Sequence, residues 1–443
     1  MKIMKLYIQK IIFIALTLLL FNACQDDDSG ALFDQSATVR KTKKTEELRN
    51  ILMSSENGWI ARYFTDEEVL GGFTFFFKFT DEKMVEMASD FTSDLTSTIS
   101  QYNISEGATV QLSFSTKGRI HELSDAENFP DAELRGQGYL GAFEFSIYSI
   151  EEDKLVFRDV KNFKELIFEK VDSGIDWTTV LTANREMLVD NIMQNPLKSV
   201  YRNMILESEG ETKIFTFNFN ENRRYAKAVH ITENGGEEKF DFGLSPTQNG
   251  FSIKPAIEYG GGVLSEFVYD VVTDEFMAES NGVKLTLKYD NVPAFLTDGY
   301  QKLPEFMIFH RPLLVDPDWN PDLSSQAFIN LIDEMNNTNP FGITRIDFYN
   351  LNLDNGSLVV FTTIGNISIN FSKQIVDSKM LLTQTGSNAP SALPFLQPLL
   401  DAVFDPNGLY VDQPMTLFRF INQIFTFVPA SNTNIRISTV KIR

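Results

Sequence analysis

The chain of 443 residues holds 60 acidic and 39 basic side chains, a net charge of −21 at pH 7; this speaks against nucleic acid and polyanionic substrates, whose phosphates must be neutralised by Lys and Arg. A single cysteine excludes an internal disulfide, and a chain this long can bury a large core without one. Hydrophobic content of 43%, including 39 phenylalanines, excludes a mostly disordered chain, and the length suits two or three domains.

In chain order, Lys2, Lys5 and Lys10 come first, then an apolar run from Ile11 to Phe21, then Phe21-Asn22-Ala23-Cys24. A basic start, a short apolar core and a small residue before the cut describe a secretory signal over residues 1–23. The apolar run is about half the ~20 residues of a transmembrane helix. Cleavage would leave Cys24 first, and the pattern resembles a bacterial lipobox, with Phe21 where Leu is usual. Cys24 is therefore the expected lipidation site. One acyl chain holds a protein only marginally, at ~0.8 kcal/mol per buried methylene, so stable anchoring needs two or three. Gln25, Asp26, Asp27 and Asp28 follow directly. They resemble the surface-export signal of Bacteroidetes lipoproteins; the alternative is a solvated spacer, since blocks of like charge stay disordered. Residues 24–35 read as an acidic tether, and the expected location is the outer membrane, lipid-anchored and at the cell surface, with the periplasmic face as the alternative.

Beyond the tether the body reads as mainly β with a few helices. Phe73, Phe75, Phe77 and Phe79 alternate with Thr74, Lys78 and Thr80. The same alternation recurs at Phe215, Phe217 and Phe219, at Val283, Leu285, Leu287 and Tyr289, and at Ile367, Ile369 and Phe371. Period two puts one face in a core and the other in water, the pattern of antiparallel sheets. Asn234-Gly235, Asn281-Gly282 and Asn355-Gly356 are hairpin-turn dipeptides, because both residue types tolerate positive φ. Antiparallel β meanders, sandwich or barrel-like, are predicted.

Three segments have helical spacing instead. Residues 36–54 place Leu48, Ile51 and Leu52 on one face, and residues 177–195 do the same with Trp177, Val180, Leu181, Leu188 and Ile192. Residues 324–336 repeat the pattern with Phe328, Leu331, Ile332 and Met335. Each amphipathic helix precedes β-rich sequence, and the starts lie roughly 140 residues apart, a domain-sized interval. Three successive helix-plus-β units are expected over residues 36–172, 173–299 and 300–443, with a two-domain split as the competitor. Trp59 and Trp177 fall at helix–strand junctions and read as core residues.

Glu56-Asn57-Gly58-Trp59, the run Gly71-Gly72-Phe73-Thr74-Phe75-Phe76-Phe77-Lys78-Phe79, Leu112-Ser113-Phe114-Ser115-Thr116, Ile120-His121 and Gly141-Ala142-Phe143-Glu144-Phe145 occur in that order. Together they resemble the Bacteroidetes lipoprotein family that carries domain of unknown function 4302. The diagnostic residues lie between about Ser36 and Phe168, and the resemblance extends over most of the mature chain. Such proteins are often encoded near starch-utilisation-type outer-membrane porins, glycan-capturing lipoproteins and zinc peptidases. The resemblance implies a nutrient-uptake setting and supplies no catalytic residues.

The chain's histidines are His121, His230 and His310, and none stands in a His-Glu-x-x-His array. His121 and Asp125 are four apart, but they follow the alternating segment from Val110 to Ile120 and read as strand running into turn. A structural histidine is the leading reading of His121 and a ligand-binding role the lesser one. Nucleophile elbows and phosphate loops are missing, whereas a glycosidase carboxylate pair is defined in space and cannot be read from sequence. Asp316, Asp318, Asn320 and Asp322 alternate as calcium ligands do, although Pro321 and Ala327 break the EF-hand pattern. A loop in which Asp322 or Ser324 caps the next helix is the favoured reading. Trp319 in that loop is a candidate for stacking on a sugar ring.

No cofactor and no catalytic residue are assigned, and the reading leans away from an enzyme. The expected function is a non-catalytic binding or accessory role in glycan or peptide uptake. The expected partners are the membrane through its lipid, an outer-membrane porin complex and a glycan-capturing lipoprotein. The alternatives are a protein-binding assembly or adhesion lipoprotein, and a secreted-side hydrolase with an unrecognised carboxylate site.

Overall fold

The structure, a computed structural model, describes residues 37–81, 83–106, 109–151, 153–195, 197–309, 324–338, 342–412 and 422–441. Its strands close into three eight-stranded antiparallel barrels that follow one another along the chain. The first runs from Trp59–Phe64 to Glu165–Lys170, the second from Tyr201–Ser208 to Val283–Asp290, and the third from Phe306–Phe309 to Ile437–Lys441. In each, consecutive strands pair and the last strand returns to the first: Trp59 faces Lys170, Tyr201 faces Asp290, and Met307 faces Lys441. Closure removes the open edges that would otherwise invite aggregation. The expected mainly β, antiparallel meander architecture is thus what the chain forms, and the barrel is its form.

A barrel of eight strands has an interior just wide enough for side chains to fill, and the alternating phenylalanines fill it. Phe73, Phe75, Phe77 and Phe79 join Trp59 and Tyr63 in the first core. Phe77 stacks on Phe168 at 4.7 Å and on Phe114 at 5.5 Å. Phe215, Phe217, Leu285 and Leu287 occupy the second core, with Phe219 packed at its margin. Ile367, Ile369 and Phe371 occupy the third. Each fully buried ring is worth roughly 1.5–3 kcal/mol of transfer free energy.

Helices close the barrels. Helix α1 (Ala37–Met53) delivers Leu48 and Leu52 to the first core, and Trp59 donates its indole N–H to the Leu52 carbonyl at 2.9 Å. Helix α2 (Trp177–Glu186) starts where the Asp176 carboxylate accepts the Thr179 N–H at 2.8 Å. Its Trp177, Val180 and Leu181 cover Phe76 on the outer wall of the first barrel. A wide π turn, Met187–Ile192, then carries Met187, Leu188 and Ile192 into the second core. This element therefore joins two barrels. Helix α3 (Gln326–Thr338) puts Phe328, Ile332 and Met335 into the third core, where the short α4 (Gln397–Val403) adds Leu399 and Val403.

Two local expectations change. In the third barrel the strand Phe306–Phe309 comes before α3, so the helix is inserted after the first strand and not ahead of the sheet. That strand pairs on both sides, Met307 with Phe348 and with Lys441, and closes the barrel. Asn281-Gly282 does form a tight turn, with φ of +49° and +78°, and Asn234-Gly235 lies in the loop between Tyr225–Ile231 and Glu237–Thr247. Asn355-Gly356, by contrast, opens the strand Asn355–Thr362. Glycine is needed there for space: a Cβ at Gly356 would sit 2.3 Å from the Tyr349 carbonyl oxygen and 2.7 Å from the Phe371 ring.

The first and second barrels meet through a sealed ion pair. Arg224 and Asp90 are 3% and 0% exposed and lie 2.9 Å apart. The guanidinium also donates to the Gly72 carbonyl at 3.0 Å and the Asp90 carbonyl at 2.6 Å. The Asp90 carboxylate accepts the Thr74 N–H at 3.0 Å, and Asn184 of α2 donates to the Thr74 hydroxyl at 3.2 Å. Close backbone approach completes the joint: Gly71 donates to the Arg223 carbonyl at 2.8 Å. Arg223 reaches back to Asp131 and Glu133, each at 2.5 Å. The second and third barrels meet through Val200 N–H to the Thr433 carbonyl at 2.8 Å and an edge-on Tyr201–Tyr410 contact at 5.6 Å.

Candidate binding clefts

A cleft of about 540 Å³ opens on the first barrel. It lies where the strand Val110–Phe114 ends, beside the 3-10 turn Arg119–Ser124 and ahead of the strand Glu144–Ile150. His121, Phe143, Asp125, Glu144, Lys117 and Ser115 are among its lining residues. The His121 ring is fixed on both sides. The Gly118 N–H donates to its Nδ1 at 3.1 Å, which makes the other nitrogen the protonated one, and Nε2–H donates to the Phe114 carbonyl at 3.0 Å. Burial pushes the imidazole below its ordinary value, the two backbone hydrogen bonds oppose this, and nearby Lys117 adds to the lowering.

A neutral imidazole with both nitrogens engaged has no lone pair for a proton or a metal. What it offers is its face, which stacks on Phe143 at 4.9 Å and 24°. Phe143 is 39% exposed. The cleft therefore presents an aromatic platform flanked by hydroxyls, two carboxylates and one ammonium. The Asp125 carboxylate lies 3.6 Å from Lys117 and accepts the Glu127 N–H at 3.1 Å. His230 holds the Ile214 carbonyl at 2.8 Å and packs on Phe215.

The other sequence-predicted positions lie outside the described residues. These are Cys24, Gln25, Asp26, Asp27 and Asp28 at the start, and His310, Asp316, Asp318, Trp319, Asn320 and Asp322 in the later loop. Of the two expected caps for the helix that follows, Asp322 lies outside the described residues and Ser324 does not fill that place. The Ser325 hydroxyl accepts the Phe328 N–H at 3.3 Å, whereas Ser324 turns away to Ser438 at 2.9 Å. Among the described residues no three His, Cys, Asp or Glu side chains group so as to hold a metal ion, and no helix is long and apolar enough to cross a membrane.

A second cleft, of about 500 Å³, lies between the first barrel, α2 and the second barrel. Ile60 and Arg62 point into it from the strand Trp59–Phe64, and Glu169 from the neighbouring strand, paired at Ile60. Val180 comes from α2, Asn249 from a hairpin of the second barrel, and Glu266 from the strand Gly262–Asp270. Partial enclosure raises the Glu266 carboxyl above its ordinary value; Arg62 opposes the rise and Glu169 adds to it. This cleft was not predicted. Its residues are scattered from Ile60 to Val268, and nothing in their local sequence marks them.

No curated protein matches the chain. Among solved structures, the DNA polymerase III beta chain of Streptococcus pneumoniae TIGR4 aligns at 11% identity over 91% of this chain and 98% of that one, with a TM-score of 0.17. A mutant of the vaccine antigen Transferrin Binding Protein B from Haemophilus parasuis aligns at 11% identity over 84% of this chain and 65% of that one, with a TM-score of 0.14. Likenesses this slight carry no functional argument. The profile of the family described as a domain of unknown function (DUF4302) matches residues 29–271, more than half of the chain, and the protein belongs to that family.

Proposed function

We propose that this protein is an outer-membrane, surface-exposed lipoprotein with a non-catalytic binding role in nutrient uptake, working beside a porin and its glycan-capturing lipoprotein. The signal that ends at Cys24 and the acidic run Gln25 to Asp28 support the location. The observation that carries the binding role is the Phe143–His121 platform. Its histidine is neutral and held by backbone on both nitrogens, an arrangement suited to stacking against an apolar ring face and unsuited to proton transfer. The hydroxyls and carboxylates around it can then bond the hydroxyls of a neutral ligand.

Two measurements test this reading. Fatty-acid labelling of the full-length chain should be lost in Cys24→Ala. Affinity purification from detergent-solubilised outer membrane should recover a porin and its lipoprotein partner. Labelling that persists in Cys24→Ala, or recovery of the bait alone, would contradict it. A hydrolytic reading has one observation in its favour, because Glu169 and Glu266 face the same cleft. Turnover of a polysaccharide or peptide that Glu266→Gln abolishes would put hydrolysis in place of simple binding.

A further inference from the structure

The cleft between the first two barrels contains charges that the fold itself leaves unpaired. Arg223 and Arg224, at the same barrel joint, are both matched by carboxylates at 2.5–2.9 Å. Arg62, Glu169 and Glu266 face one cavity, and among the described residues none of the three makes an ion pair or a side-chain hydrogen bond. Apolar Ile60, Val180 and Val268 line the same space, beside polar Asn184 and Asn249 and the charged Lys170 and Asp172. No aromatic face is open to it, since Phe76 is sealed beneath Trp177 at 5.1 Å and Phe267 is buried. A sugar ring would therefore find no platform here, in contrast to the cleft beside Phe143.

We propose that this inter-barrel cleft binds a short zwitterionic peptide, its terminal carboxylate on Arg62, its terminal ammonium at Glu169 and Glu266, and its apolar side chains on Ile60, Val180 and Val268. A guanidinium is suited to a carboxylate because its planar fork donates two parallel hydrogen bonds. Two carboxylates that make no ion pair are suited to an ammonium, and partial burial raises the Glu266 carboxyl above its ordinary value, with Arg62 opposing the rise and Glu169 adding to it. The volume of about 500 Å³ is within the roughly 300–1,000 Å³ usual for small-ligand sites. A zwitterion is neutral overall, so the chain's charge of −21 does not repel it.

The inference names a ligand class at a site separate from the Phe143 cleft and does not rest on the membrane location. Calorimetric titration of the detergent-solubilised full-length chain with trialanine tests it. The expected result is saturable binding that weakens tenfold or more in Arg62→Met and in Glu266→Gln and is unchanged in Phe143→Ala. Trialanine capped by N-acetyl and C-terminal amide groups should not bind. Both altered side chains are exposed, so melting temperatures near that of the parent would show that the variants fold. Absence of trialanine binding, equal binding of the capped peptide, or binding indifferent to both cleft variants would overturn the proposal. So would maltotriose taking the cleft in an Arg62-dependent way. None of these failures would alter fatty-acid labelling at Cys24, so the two readings fail separately.

Discussion

Replacing Arg224 with Met would leave the Asp90 carboxylate enclosed between two barrels without its counter-charge. A buried ion pair is often no better than an apolar pair of the same shape, yet breaking it from one side costs about 3–5 kcal/mol. Arg224→Met is therefore expected to lower unfolding stability by that order in urea titration, and the double variant Asp90→Leu/Arg224→Met to recover part of the loss. A single variant as stable as the parent would mean that the pair is not sealed. His121 makes a second prediction. Its folded value lies below the ordinary 6.5, so the unfolded chain binds the extra proton first. Its contribution to stability is intact above about 6.5 and is lost as pH falls through that value towards the folded one. In His121→Gln, the loss of stability between pH 7.5 and 5 should be smaller than in the parent. An equal loss would show that the ring titrates freely.

Helix α2 and the π turn that continues it gain their importance from packing on two barrels at once. Leu181 is buried against the outer wall of the first barrel, while Leu188 and Ile192 lie in the second core. Leu181→Ala should cost about 2–5 kcal/mol and should make the segment between the barrels an early site of limited proteolysis. Cleavage unchanged from the parent would argue against that bridging role. Gly71 is a sharper probe, because a Cβ there would lie 2.2 Å from the Arg224 carbonyl oxygen. Gly71→Ala should force the barrels apart and raise the radius of gyration in solution scattering. At this scale much was legible in the sequence. Alternating Phe73 to Phe79 predicted a strand with one buried face, and Leu48 with Leu52 predicted a helix face. What escaped was local: Phe306–Phe309 is too short to show a period, and Asn355-Gly356 has turn chemistry but is used for close packing. Even the correct alternation understated Phe76, an outward residue that α2 buries.

Across the molecule, three closed barrels in series leave few open sheet edges, and clefts open on them and between them. The composition and periodicity indicated antiparallel β meanders, because burial of every second residue is written locally. Closure was not legible, since the pairing of Trp59 with Lys170 spans the whole first barrel. The site was legible in part. His121 stood out as a chemical residue in a family-like context, but its engaged nitrogens and its stack on Phe143 depend on backbone geometry. Arg62 and Glu169 meet on neighbouring strands of the first barrel, but Glu266 joins them only when the second barrel docks. The proposed role at the cell surface rests on residues ahead of the barrels, and it is exposed to one direct measurement. Intact cells carrying the full-length chain should be treated with external protease, alongside a variant with Asp26, Asp27 and Asp28 replaced by Ala. The account predicts that the parent is digested and that the variant stays membrane-bound but protected. A parent that survives the protease, or a variant digested as readily as the parent, would contradict it.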